Sequence, residues 1–180
     1  MITRNIPARY KDAEWSHVPK DIQTFVENIR ETRKGLYIHG DVGTGKTHIA
    51  YAIQKKLDEM KLTNRFHNTT ELIFDIKRDF DRDIYSKRRW DEVLTEYKGV
   101  IILDDIGAER ITDYVAEVFY LIINNRYTKM LPIIFTSNLS IAELAERVGD
   151  RTASRIVELC DVVHLKGEDR RLLKAKANKS

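Results

Sequence analysis

Several things are scarce in this sequence. In 180 residues there are one cysteine, three prolines and eight glycines, and the formal charge at pH 7 is only +3. A lone thiol, Cys160, forms no intramolecular disulfide and no cysteine-rich zinc site, so a reducing compartment fits. With no repeat, no low-complexity linker and no break in composition, the chain reads as one domain. A charge this small does not mark a nucleic-acid binder by itself, so such a reading rests on where the charges sit. No apolar run approaches the roughly 18 residues needed to span a bilayer, and Met1 to Pro7 carries no apolar signal core. A cytoplasmic protein with no membrane partner is expected.

What is present is an ordinary globular balance of 42% hydrophobic and 33% charged residues. Short apolar runs alternate with helical patterns, the signature of an α/β protein with helices on both faces of a parallel sheet. The candidate strands are Leu36–His39, Arg65–Asn68, Val100–Leu103, Leu131–Phe135 and Asp161–Leu165. Runs such as Val100 to Leu103 are apolar at consecutive positions, as central strands covered on both faces require. Between them Ile49, Ile53 and Leu57 mark one buried helical stripe, Leu72, Ile76 and Phe80 a second, and Val115, Phe119 and Ile122 a third. Asn68 and Thr112 stand where N-caps belong. Ahead of Leu36, Pro7 and Pro19 flank Trp15 in an irregular lead-in, followed by a helix over Asp21 to Arg30.

The strongest motif is Gly40-Asp41-Val42-Gly43-Thr44-Gly45-Lys46-Thr47, a full G-x-x-x-x-G-K-[ST] phosphate loop with His48 directly after it. A strand runs in and a helix runs out, which is the context the motif needs. Glycines let the backbone curl with N–H groups pointing inward, and the helix N-terminus adds partial positive charge. Lys46 is expected on the β and γ phosphates and Thr47 on Mg2+, with ATP as the nucleotide. The second motif is Val100-Ile-Ile-Leu-Asp104-Asp105, a buried strand delivering two carboxylates to the carboxyl edge of the sheet, where α/β proteins place ligands. Asp104 is the expected Mg2+ partner and Asp105 the residue that polarises the attacking water. A third run, Leu131 to Asn138, ends in polar residues. If its strand lies between the first and third, Asn138 points at the gap between γ-phosphate and acids; otherwise Ser137, Asn138 and Ser140 form a turn and cap the helix Ile141 to Val148.

The order of phosphate loop, "IILDDIGAE" and "FTSNL" resembles the AAA+ ATPases, specifically the DnaC/DnaI-type helicase loaders and the related IstB-type transposition helpers. The opening "IPARYKDAEW" is also similar to the segment ahead of their ATPase core, and the likeness runs from about Ile6 to Arg171. The resemblance implies a P-loop NTPase fold with five parallel strands in the order 5-1-4-3-2 and no separate helical lid. It divides the chain into a lead-in, 1–35, packing on the core, an ATPase domain, 36–170, and a basic tail, 171–180. It also implies a sensor role for Asn138 and an arginine that completes a neighbouring subunit's site. "Gly149-Asp-Arg151-Thr-Ala-Ser-Arg155-Ile" is similar to that family segment, with Arg155 as the finger and Arg151 one turn earlier. "Lys166-Gly-Glu-Asp-Arg-Arg171" looks like the family's ending, though Asp169 and Arg170 replace its Ser-Tyr pair. The loaders' separate helicase-gripping N-terminal domain has no counterpart in the 39 residues before Gly40.

The expected activity is Mg-dependent ATP hydrolysis in a homo-oligomer acting on single-stranded DNA during replication initiation, with a replicative helicase as partner. The alternatives are transposition on duplex DNA, a small-molecule kinase and a non-hydrolysing scaffold. The segment Ile76 to Trp90, with Lys77, Arg78, Arg82, Lys87, Arg88 and Arg89 beside Phe80, Tyr85 and Trp90, is either a single-stranded DNA surface or a solvated helix face. The tail cations Arg170, Arg171, Lys174, Lys176 and Lys179 are either a phosphate-contacting arm or a frayed terminus.

Overall fold

The computed structural model describes residues 6–80 and 96–167. Five strands, β1 (Gly35–His39), β2 (Asn64–Asn68), β3 (Val100–Asp104), β4 (Ile133–Ser137) and β5 (Cys160–His164), form one sheet in the order β2-β3-β4-β1-β5. Every neighbouring pair is parallel. This is the 5-1-4-3-2 order that the resemblance implies. The helices are α1 (Lys20–Glu27), α2 (Ile29–Thr32), α3 (Lys46–Glu59), α4 (Thr69–Phe80), α5 (Asp113–Thr128), α6 (Ile141–Val148) and α7 (Asp150–Leu159). Among the described residues no helical lid follows β5, and no helix is long and apolar enough to cross a membrane.

The consecutive apolar residues of the central strands serve two cores at once, because side chains alternate across a sheet. Leu36, Ile38, Val100, Ile102 and Ile134 face α1, α2 and α3, where Ile22, Val26, Ile29, Ile49, Ile53 and Leu57 meet them. Tyr37, Ile101, Leu103, Ile133 and Phe135 face the other way, onto Ile76 of α4, Val115, Phe119 and Ile122 of α5, Leu144 of α6 and Ile156 of α7.

Local chemistry sets the helix ends. Asn68 accepts from Glu71 N at 3.1 Å and Thr112 from Val115 N at 3.4 Å, so both expected N-caps are in place. Ser140 and Glu143 form a reciprocal capping box on α6. Two expectations shift. The helix read over Asp21 to Arg30 breaks at Asn28, which sits at φ -99° and ψ 10° and whose side chain donates to Thr24 O at 2.8 Å beside its own backbone N–H on the same carbonyl at 3.3 Å. The strand read over Leu131 to Phe135 runs instead from Ile133 to Ser137, because Leu131 N closes the end of α5 on Arg126 O at 2.9 Å.

Arg126 itself is fully buried and donates to the carbonyls of Tyr97, Gly99 and Pro132, tying the entries to β3 and β4 together. Burial pulls its guanidinium down to about 10, still charged at neutral pH.

Candidate active site

At the carboxyl edge the sheet opens into a cavity of about 490 Å³, within the ~300–1,000 Å³ range of small-molecule sites. The phosphate loop forms its floor. Gly43 at φ 83° and Gly45 at φ 99° take left-handed conformations that a side chain would strain, and Gly45 leads straight into α3. Thr44 Oγ1 donates to Asp41 O at 2.9 Å, which closes the loop on itself. Lys46, buried, donates from Nζ to Gly40 O at 2.7 Å and Asp41 O at 2.8 Å. A phosphate oxygen is a stronger acceptor for that Nζ than a neutral carbonyl. Val42, Gly43, Gly45, Lys46, Thr47 and His48 all line the cavity.

Opposite the loop stand the two carboxylates of β3. Asp104 is 3% exposed, and burial is the main reason its carboxyl lies above the usual range; hydrogen bonds from Thr136 and Thr47 oppose that shift. The Thr47 contact joins a hydroxyl at the start of α3 to a carboxylate at the end of β3, an all-oxygen pair suited to Mg2+. Asp105 turns out of the strand at φ 63° and lines the cavity. Its left-handed backbone is held by its own N–H on Thr136 Oγ1 at 2.9 Å, and its Oδ1 accepts from Asn138 Nδ2 at 3.1 Å.

Thr136 is the residue that the sequence reading missed. Its hydroxyl donates to Asp104 Oδ1 at 2.6 Å while accepting from Asp105 N, so one side chain fixes both acids. The turn carrying Asn138 is pinned as well. Tyr37 Oη donates to Leu139 O at 2.8 Å and Ser137 Oγ to Ile106 O at 2.7 Å. Burial pushes the Tyr37 phenol up to about 12, so it remains a donor. Ser137 and Ser140 thus serve the turn and the cap, and Asn138 faces the acid. Beside this turn, Glu109 Oε1 accepts from Gly107 N at 3.1 Å, while burial and the nearby Asp105 hold its carboxyl above the usual range.

The far wall comes from the lead-in. Arg9, Tyr10, Asp12, Glu14, His17 and Val18 line the same cavity as the loop. Lys55 of α3 holds this segment by donating to Lys11 O at 2.9 Å and Ala13 O at 2.7 Å. Tyr10 stacks on Tyr51 at 4.7 Å and meets the edge of His48 at 4.9 Å, and His48 Nε2 lies 3.7 Å from Asp12 Oδ1. No motif announced these positions; the signal was the resemblance of "IPARYKDAEW" to the segment ahead of the family's ATPase core.

Arg155 lies elsewhere. Its guanidinium sits over Tyr120 at 5.2 Å and Tyr127 at 5.7 Å, and Nε donates to Asn124 Oδ1 at 2.9 Å. None of these partners lines the cavity, so Arg155 is apart from the nucleotide site of the same chain. Arg151 is exposed one turn nearer the start of α7. Arg171, the tail and residues 81–95 with Arg82, Tyr85, Lys87, Arg88, Arg89 and Trp90 lie outside the described residues, as does the side chain of Phe80.

With β4 lying between β1 and β3, Asn138 is brought against the second acid of β3, and that arrangement makes this a P-loop nucleotide-binding protein with an AAA+ core. The chain belongs to the family of IstB-like ATP-binding proteins, whose family model matches residues 18–178. It is 31% identical to the replicative helicase loader DnaI of Bacillus subtilis, over 83% of this chain and 52% of that protein. It is 29% identical to the ATP-binding protein of insertion sequence IS21 from Pseudomonas aeruginosa, over 79% of this chain and 54% of that one. The chain therefore spans about half the length of these curated relatives. Among solved structures, that of the DnaC helicase loader superposes with a TM-score of 0.77 at 31% identity, covering 89% of this chain and 100% of that one.

Proposed function

We propose that this chain hydrolyses ATP with Mg2+ in an assembly of like subunits, and that the assembly acts on single-stranded DNA to load a replicative helicase. The observation that carries hydrolysis is the 3.1 Å contact between Asn138 and Asp105 beside the phosphate loop. Thr47 and Asp104 are the residues that would hold Mg2+, and the ion would supply charge neutralisation at the phosphates. The loop N–H groups and Lys46 hold the phosphates. Asp105 and Asn138 together orient a water, the carboxylate accepting its proton and the amide fixing its place. Thr136 and Tyr37 keep that pair from drifting. Arg155 completes the site of the next subunit, and Tyr120, Tyr127 and Asn124 hold its guanidinium in a fixed pose before it does so. The DnaI and DnaC likenesses support the loading role.

For DNA, α4 supports single strands: Phe74 is 64% exposed, with Arg78 5.9 Å from its ring and Lys77 one residue away. An exposed ring beside cations suits base stacking with phosphate tracking, although Arg78 also pairs with Asp75 at 2.9 Å and Lys77 lies 6.0 Å from the Tyr114 ring. The second reading, transposition on duplex DNA, is favoured by the IS21 relative and the family model. ATPase rates with single-stranded and with duplex DNA separate the two. Stimulation by single strands and co-purification with the replicative helicase are expected; stimulation by duplex alone and co-purification with a transposase would establish the second reading. A rate near zero under all conditions, with ATP bound, would defeat both.

A further inference from the structure

At the edge of the sheet opposite the nucleotide, three helices end side by side around a shallow groove of about 290 Å³. Its floor is apolar, made by Ile29, Leu62, Val100 and Leu131. The floor follows from how two helices stop. Leu62 N returns to Leu57 O at 2.8 Å and Leu131 N to Arg126 O at 2.9 Å, the same six-to-one closure at the ends of α3 and α5. In that motif the residue after the left-handed one packs its apolar side chain back on the helix, and here those residues are the two leucines.

The left-handed position before each leucine is where glycine is the least strained choice. Neither of those two positions, nor the left-handed residue that ends α2, is glycine. Lys61 sits at φ 56°, Met130 at φ 49°, and Arg33, after α2, at φ 52°. These are three of the four non-glycine residues with positive φ among the described residues; the fourth, Asp105, is in the active site. Strained backbone that persists points to a use for the side chain it projects. A cation near a helix C-terminus complements the dipole, but that requirement does not demand the strained position. Arg33, Met130 and Lys98 rim the groove together with Arg30, and no acid among the described residues lines it. Arg30 is occupied with Met60 O at 2.7 Å, whereas Arg33 and Lys98 have no partner among the described residues.

We propose that this groove docks an acidic segment of a partner protein, with an apolar side chain of that segment on the leucine floor and its carboxylates on Arg33 and Lys98. Charge complementarity selects an acidic occupant. The floor selects protein over nucleic acid, because it offers aliphatic side chains and no ring on which a base could stack. This surface is at the far end of the strands from the ATP site, so the proposal stands apart from the nucleotide chemistry.

The test is fluorescence anisotropy with a short fluorescein-labelled peptide in which leucine and phenylalanine alternate with pairs of glutamates. The expected result is binding to the whole chain that weakens about tenfold or more in the doubly charge-reversed variant Arg33→Glu, Lys98→Glu, with affinity for a fluorescent ATP analogue unchanged. Arg33→Gly and Met130→Gly should also weaken the peptide while the melting temperature holds or rises, because the left-handed strain is relieved. A merely structural role for these residues would instead lower the melting temperature in both glycine variants, and that result overturns the proposal. It is equally overturned if the peptide does not bind, if a lysine-bearing version binds as well, or if charge reversal leaves affinity intact. Binding of a single-stranded oligonucleotide that displaces the peptide and is lost in the same charge-reversed variant would make the groove a nucleic-acid surface and also overturn it.

Discussion

The two edges of the sheet meet the same problem, how to turn a chain at the end of a helix or strand, in opposite ways. At the carboxyl edge the turns around the phosphate loop are glycine, Gly43 and Gly45, and the backbone itself is the working surface. At the amino edge the equivalent turns carry Arg33, Lys61 and Met130, and the side chains of Arg33 and Met130 line the groove proposed as a docking surface. Charges differ in the same sense. Asp104 and Lys46 are buried at the first edge, each held by named partners, while Arg33 and Lys98 stand exposed at the second. Glycine marks where a ligand must come close to main chain. Its absence from a turn that would favour it marks where a side chain is needed instead.

Substitutions can break this contrast, and the largest effect is expected at Lys46. Lys46→Ala should cost about 10²-fold or more in affinity for an ATP analogue, read by equilibrium fluorescence, because a charge-assisted contact to two phosphates is lost. The fold should survive, since the ammonium meets loop carbonyls and not the core. At the amino edge the largest effect belongs to Arg126. Arg126→Ala leaves three carbonyls without their donor and opens a cavity, so chemical denaturation should show a loss of roughly 3 kcal/mol or more with a proportionate loss of bound nucleotide only through unfolding. Nucleotide affinity of the folded fraction should be unchanged, which distinguishes a structural cation from a functional one.

The smallest effect has the opposite sign. Burial raises the Asp104 carboxyl above its unfolded value, so the fold favours the neutral form. Its contribution to stability is present at low pH and is lost as the pH rises through the raised value. At neutral pH the ionised carboxylate is therefore a cost in the nucleotide-free protein. Asp104→Asn keeps an oxygen to accept from Thr136 and removes the charge, so the melting temperature should rise, by no more than about 4 °C, while Mg-dependent hydrolysis is lost. The gain should shrink as the pH is lowered toward the carboxylate range. A lower melting temperature at neutral pH would mean that the hydrogen bonds from Thr136 and Thr47 outweigh burial.

The sequence made the central machinery legible because each part is a run of residues with one physical purpose. Four apolar residues before Asp104 need a strand buried on both faces, and glycines before Lys46 need a loop that curls. The strand order was legible only through resemblance. What stayed hidden depends on contacts between distant segments. Thr136 looks like one more polar residue at a strand end until β4 is set beside β3, where its hydroxyl meets both acids. Tyr10 and Asp12 join the cavity only because the lead-in folds back over α3. Arg126 extends the Val115, Phe119 and Ile122 stripe by one more turn and is fully buried, which a charged residue within "NNRYTK" does not announce. The helix break at Asn28 is local by contrast and was missed for another reason: a side chain that competes for a backbone carbonyl leaves no mark on apolar periodicity.

Completion of the ATP site by a neighbouring subunit, as proposed for Arg155, can be tested by mixing subunits. Arg155→Ala should bind ATP normally and hydrolyse it about 10³-fold more slowly, as loss of an arginine supplied in trans does in phosphoryl transfer. Asp105→Asn should likewise bind and fail to hydrolyse. Mixed in equal amounts on single-stranded DNA, the two inactive variants should regain part of the wild-type rate, because some interfaces pair an intact Arg155 with an intact Asp105. A mixture no more active than either variant, together with a wild-type rate per subunit that does not change with protein concentration, would contradict the claim and place Arg155 in a structural role beside Tyr120 and Asn124.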